Sequence, residues 1–280
     1  MSQVDGLPPS ERSWVMLCIL LGMMLSSLDS AIANIALPVI ARALATSDAS
    51  VVWVVNAYQL AATVCLLPVA ALGESLGFKR VYATGLTIFT LASLSCALSS
   101  TLPALVCARI VQGAGGACMS VVGVALVRAV YPRSIVSRGF ALVALAVASA
   151  GALGPTIAAL ILSVASWHWL FLINVPFGLL AVPIFLALAP AGIRHTRPFD
   201  LTGAVLNALA FGFIVVGVGT LGVGGVTVAV EEMVAGLVCF GLFIRQQTGL
   251  SGILCLRHNM LPRRVYASQT ESPAGGTAGD

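Results

Sequence analysis

Charge is scarce in this sequence. Asp, Glu, Lys and Arg together make up 9% of its 280 residues, whereas soluble domains carry about 25%. With 59% hydrophobic residues, so little charge excludes a soluble globular domain and leaves a polytopic membrane protein. Cysteine pairing signals are missing as well. The seven cysteines (Cys18, Cys65, Cys96, Cys107, Cys118, Cys239 and Cys255) lie mostly inside apolar runs and form no Cys-x-x-Cys motif. They read as small buried hydrophobes, with neither a disulfide framework nor a metal site. No nucleophile stands with a base, no cluster has metal-ligand spacing, and no phosphate-binding loop occurs; His168, His195 and His258 are far apart at expected span ends. An enzyme is therefore not expected, nor a cofactor, nor a nucleic-acid partner. A positively charged leader is also lacking. Ala31-x-Ala33 follows an apolar stretch as a cleavage site would, but Asp5, Glu11 and Arg12 precede it and the apolar run continues past it, so a signal peptide is not expected.

What the sequence has in quantity is long apolar runs. Eight recur, at about 14–40, 51–72, 81–99, 102–127, 139–162, 167–189, 201–222 and 226–244. A bilayer core needs roughly 20 apolar residues as helix, and runs without alternation do not fit the shorter, dyad-patterned strands of a barrel. The reading is an all-α polytopic protein whose first partner is the lipid bilayer. With the N-terminus inside, twelve of the fourteen Arg and Lys fall on the cytoplasmic side; Arg42 is outside and Arg109 within span 4. That asymmetry predicts both ends in the cytoplasm. Trp14, Trp53, Trp167 and Trp169 stand near span ends, as interface anchors do. After Arg245 the apolar pattern stops. A short semi-apolar piece with Arg257-His258 and Arg263-Arg264 follows, then a small polar stretch from Gln269 that reads as disordered.

Against this background the intramembrane polar residues stand out. The stretch Leu28-Asp29-Ser30-Ala31-Ile32-Ala33-Asn34-Ile35-Ala36-Leu37-Pro38 puts a carboxylate and an amide into span 1. Asp29 lies roughly 22 Å from Trp14 along a helix, past the midplane, where a charge costs on the order of 2.5–3.5 kcal/mol on insertion scales. Arg109 is the only other charge at comparable depth. Either the two line an aqueous path, as a pair or as separate sites, or they make a structural polar contact between helices. In Arg109-Ile-Val-Gln112-Gly113-Ala114-Gly115-Gly116-Ala117 the small residues favour close helix packing; Cys118 stands where a dinucleotide fingerprint needs its third glycine. Gln112 is placed to satisfy hydrogen bonds near Arg109. Between spans 2 and 3, Gly73 and Gly77 make a short turn that brings Glu74 near Lys79 and Arg80; an ordinary positive-inside loop would look the same. Pro155 after Gly154 predicts a bend in span 5, Asp200 is a candidate N-cap for span 7, and Glu231 and Glu232 read as a solvated outer face.

Together and in this order, these pieces resemble the major facilitator superfamily, and within it the drug:proton antiporters with fourteen spans. Leu28-Asp29-x-x-Ile32-x-Asn34-x-Ala36-Leu37-Pro38 is similar to that family's first-span motif. Arg109-x-x-Gln112-Gly113-x-Gly115-x-Ala117 is similar to its fourth-span motif. Gly154-Pro155 resembles the antiporter motif, with Ala158-Ala159 where a double glycine is expected. Ser166-Trp167-His168-Trp169-Leu170-Phe171-Leu172-Ile173-Asn174-Val175-Pro176-Phe177-Gly178 is the strongest likeness and departs mainly in His168. The loop after span 2 resembles the superfamily signature, with Ala70, Glu74 and Ser75 in place of glycine, aspartate and arginine.

The resemblance implies a six-helix N-terminal half (14–189), two linker-type helices (190–244), a cytoplasmic N-terminus (1–13) and a basic cytoplasmic segment with tail (245–280). It implies proton-coupled efflux of drugs or small amphipathic compounds across the plasma (inner) membrane, driven by the proton gradient. Asp29, Asn34, Arg109 and Gln112 would serve translocation, Gly154 and Pro155 the antiporter bend, and Glu74, Gly77, Lys79 and Arg80 a cytoplasmic gating loop. By the family pattern a ninth span would follow Arg263-Arg264. The expectation is therefore a truncated proton-coupled exporter with one half of the cavity; the alternative is a non-transporting remnant or a membrane subunit that a second chain completes.

Overall fold

The computed structural model describes residues 6–189, 201–221 and 225–259. Among the described residues there are ten α-helices, one 3₁₀ turn and no strand. The helices are α1 (Pro9–Ala43), α2 (Asp48–Val51), α3 (Trp53–Leu76), α4 (Phe78–Ala97), α5 (Leu102–Val130), α6 (Val136–Val164), α7 (Trp169–Leu172), α8 (Asn174–Leu188), α9 (Leu201–Thr220) and α10 (Val226–Asn259). The eight expected spans correspond to α1, α3, α4, α5, α6, α8, α9 and α10, with α2 leading into α3 and α7 into α8. Their starts follow local chemistry. Pro9 opens α1 where a missing N–H is harmless, and the Ser47 and Thr101 hydroxyls accept hydrogen bonds from Ser50 N and Ala104 N at the entrances of α2 and α5.

Seven of these segments are long and apolar enough to cross a membrane by length and composition. The exception is α4, whose first turn holds Lys79-Arg80 and which carries Thr84, Thr87, Thr90, Ser93 and Ser95. Four of those hydroxyls donate back to the carbonyl one turn earlier: Thr87 to Ala83, Thr90 to Leu86, Ser93 to Phe89 and Ser95 to Leu91. They are satisfied inside their own helix, so their polarity is tolerable among neighbours.

Helix α10 runs past Arg245 to Asn259. One expectation is corrected here. Trp167 is no interface anchor. It is buried, stacks on His168 at 3.8 Å and meets Phe171 edge-on, whereas Trp14, Trp53 and Trp169 are exposed. The expected N-cap Asp200 and the tail from Gln269 lie outside the described residues.

The glycines of span 4 act as the packing reading expects. A Cβ on Gly113 would collide with the Tyr58 carbonyl of α3, and one on Gly115 would sit 2.7 Å from Phe89 N of α4. α5 is thus held tightly between α3 and α4, while α1 pairs with α6 and α9 with α10. The buried apolar residues divide into two groups. One contains Ile19, Tyr82, Phe89, Met119 and Phe185; the other contains Ile32, Ile40, Leu105, Trp167 and Phe171. Along α1, α4, α5 and the α7–α8 segment the change from one group to the other falls at Asp29, Ser93, Arg109–Gln112 and Asn174. The seam between the two apolar layers is polar.

Candidate functional site

At that seam α1 contributes Asp29, and α5 contributes Arg109 and Gln112, which share a face because they are three residues apart. Asp29 and Arg109 form an ion pair with side chains 1% and 0% exposed. The Asp29 Oδ2 accepts from Arg109 Nη1, and Oδ1 accepts from Gln112 Nε2 at 2.9 Å and Asn174 Nδ2 at 3.1 Å. Arg109 Nη1 also donates to Gln112 Oε1 (2.7 Å), and its Nε to the Val54 carbonyl of α3 (3.0 Å). Gln112 Nε2 donates to Ser93 Oγ at 2.8 Å, and the Cys96 thiol lies 3.5 Å from Gln112 Oε1. One carboxylate therefore joins α1 to α5 and α8, with α3 and α4 recruited through its partners.

The geometry explains why the charges can stay buried. Removing two charges from water costs several kcal/mol per ion, and only close pairing with further hydrogen bonds offsets it. Here each Asp29 oxygen has a partner. The Arg109 guanidinium is also covered by two rings, Tyr58 with its centroid 4.3 Å away and Phe171 at 5.5 Å, contacts that favour a cation. Arg109 Nη2 is buried with no hydrogen-bond partner.

Beside this cluster a cavity of about 570 Å³ opens between α1, α3, α5 and α6. Ser26, Ser30 and Asn34 line it from successive turns of α1, facing Tyr58 and Gln59 of α3 and Ser120 of α5. Its lining holds no charged residue. Asp29, Arg109 and Gln112 do not line it, contrary to the expectation for the two charges; they lie one layer behind, because a charge needs a full set of partners that an open wall does not supply. Asn34 is on the wall, exposed, and its amide donates to Ser30 O at 2.9 Å.

The other predicted residues are separate from this cluster. Gly154 is where α6 approaches α1: a Cβ there would stand 2.5 Å from Ala31 Cβ. Pro155 is exposed, and α6 continues through it. Gly77 is the one residue between α3 and α4, at φ +95°, a conformation that favours glycine. Glu74 and Arg80 are exposed, Lys79 is half-buried, and none of the three is ion-paired with another. Glu231 is exposed, and Glu232 accepts from Thr220 Oγ1 at 2.8 Å, closing the α9–α10 hairpin. Reasoning from sequence did not single out Asn174, Ser93, Tyr58 or Ser26 as site residues. Asn174 carried a usable signal, being an amide within an apolar run; hydroxyls are too common in spans to carry one. Among the described residues no group of His, Cys, Asp and Glu could hold a metal ion.

Comparison with known proteins agrees with this architecture. Residues 19–254 match the family described as Major Facilitator Superfamily. The chain is 46% identical over 251 residues to "Uncharacterized transporter YebQ" of Escherichia coli K12, covering 89% of this chain and 55% of that protein. It is 36% identical over 243 residues to "Putative multidrug resistance protein MdtD" of Escherichia coli O1:K1, covering 86% and 51% respectively. It thus spans about half the length of the curated relatives it matches. Among solved structures it superimposes on the human organic anion transporter MFSD10 with a TM-score of 0.57 at 16% identity, covering 74% of this chain and 55% of that one. On a bacterial homologue of the lysosomal transporter Spinster the values are 0.56 and 18%, with 85% and 61% covered. At such identities the likeness is one of fold.

Proposed function

The chain belongs to the major facilitator superfamily, whose members are membrane transporters and not enzymes, and from that premise we propose that it supplies the N-terminal wall of a proton-coupled exporter of drugs or other small amphipathic compounds. Residues 14–189 are the transporter half, 190–244 two linker-type helices, and 1–13 and 245–280 cytoplasmic, in the inner membrane. The observation that carries this reading is the buried Asp29–Arg109 pair, tied to Gln112 and Asn174, directly behind a neutral cavity. Protonating Asp29 removes its Coulomb attraction to Arg109 and turns one acceptor oxygen into a donor. The hold of α1 on α5 and α8 then loosens, and cavity shape becomes coupled to a proton. Arg109 keeps its bonds to Gln112 and the Val54 carbonyl and serves as the fixed side of the switch. Gly154 lets α6 move closely against α1, Pro155 adds the local weakness, and the Glu74–Gly77–Lys79–Arg80 turn is the cytoplasmic gate.

The test is proton-driven efflux of a fluorescent amphipathic cation from everted vesicles holding the complete transporter. Asp29→Asn is expected to abolish efflux driven by ΔpH while leaving the amount inserted unchanged; unchanged efflux would sink the assignment.

A second reading is favoured by the cavity wall itself. Ser30, Asn34 and Gln59 would face lipid if nothing covered them, and polar groups are seldom left so. In this reading the chain does not transport alone and is completed by a second chain. A stable stoichiometric complex on purification supports it, and a monomer that binds the fluorescent substrate opposes it.

A further inference from the structure

Tyr58 touches both the cavity and the ion pair. It lines the cavity, is only 3% exposed, and lays its ring over the Arg109 guanidinium. Its hydroxyl is 2.7 Å from Ser26 Oγ and 3.4 Å from the Ser26 carbonyl. Both partners are on α1, one turn before Asp29. Gly116 on α5 makes room for this contact, since a Cβ there would lie 2.6 Å from the Tyr58 hydroxyl and 3.1 Å from Ser26 Oγ. Nothing else latches the tyrosine hydroxyl. Behind the ring, Arg109 Nη2 has no hydrogen-bond partner. It is a buried donor poised to donate to water as soon as the ring moves.

We propose that Tyr58 is the door between the cavity and Asp29, with Ser26 as its latch. Closed, it withholds the carboxylate from cavity water, so the cluster keeps its ion pair. Rotation of the ring off Arg109 into the cavity frees the Ser26 hydroxyl and exposes Arg109 Nη2. Water can then enter, and a hydronium ion can give its proton to the Asp29 carboxylate, leaving water and a neutral acid. Access of protons to Asp29 is thereby tied to an event on the cavity wall, the place where a solute would touch Tyr58. Tyr58 is a positioning residue, acting on Asp29 through Arg109. The inference rests on the transport reading only for its purpose; the door itself is a property of this chain.

Carboxyl labelling tests it without any transport. The complete protein in nanodiscs is treated with dicyclohexylcarbodiimide, which adds to a protonated carboxyl and rearranges to a stable acylurea, and each site is read by peptide mass spectrometry. Asp29→Asn gives the blank. Asp29 is expected to label slowly in the unaltered protein and at least about tenfold faster in Tyr58→Ala. Tyr58→Phe, which keeps the ring and loses the latch, is expected to quicken labelling about fivefold, the shift that one lost hydrogen bond produces. Ser26→Ala, which leaves the Ser26 carbonyl in place, should quicken it by no more than that. The proposal is overturned if Asp29 labels at the same rate in all four proteins, or if Glu74 and Glu232 accelerate equally, since that marks general loosening. If the rates move as stated while efflux is absent, the door stands and the transport reading fails.

Discussion

Helix α1 carries two polar surfaces of opposite kind. On one side Asp29 is buried, charged and bonded to α5 and α8; on the other, Ser30 and Asn34 are neutral and face the cavity. The difference follows from the cost of leaving each group unpartnered. An unpaired buried charge is expensive, so a carboxylate survives only where every oxygen is met. A hydroxyl or amide can bond to its own helix, as Asn34 does to Ser30, and remain available to something else. Charge thus sits where it holds helices together, and neutral polarity sits on the cavity wall.

If this contrast is right, substitutions on the two surfaces should differ in size. The largest effect is expected for Arg109→Met, which strands Asp29 and should lower stability by about 3–5 kcal/mol. Thermal unfolding in detergent would show it, and adding Asp29→Asn should restore part of the loss; no recovery would mean the pair is not coupled. Next comes Gly113→Val, which forces a branched side chain against the Tyr58 carbonyl. Overpacking of this kind costs about 1–3 kcal/mol, visible in the same assay. The smallest effect is expected for Asn34→Ala, within about 0.5 kcal/mol because it removes no buried contact. Its signature should instead be a changed dissociation constant for a transported dye. A large stability loss there would erase the distinction between the two surfaces.

What could be read in the sequence was whatever a residue reports alone. A charge within an apolar run, an amide one turn from it and glycines along one helix face each point to their environment, and Asp29, Arg109, Gln112, Gly113 and Gly115 meet as such signals suggest. Which side of a helix faces a cavity depends on neighbours distant in sequence. That is why both charges were expected on the wall, and why Ser93 and Tyr58 passed unnoticed. Trp167 shows the same limit, since position near a span end does not say whether a ring points to lipid or inward.

The hydroxyl-rich face of α4 bears on how the protein is made. A segment too polar to rank with the seven others by hydropathy gains less on entering lipid unaided, and insertion depends on that gain. Its chief neighbour, α5, is synthesised after it. Stable entry of α4 is then a joint event, completed when the glycine face of α5 emerges to receive it. A defect in that face would be felt first in membrane integration, one helix upstream of the altered residue.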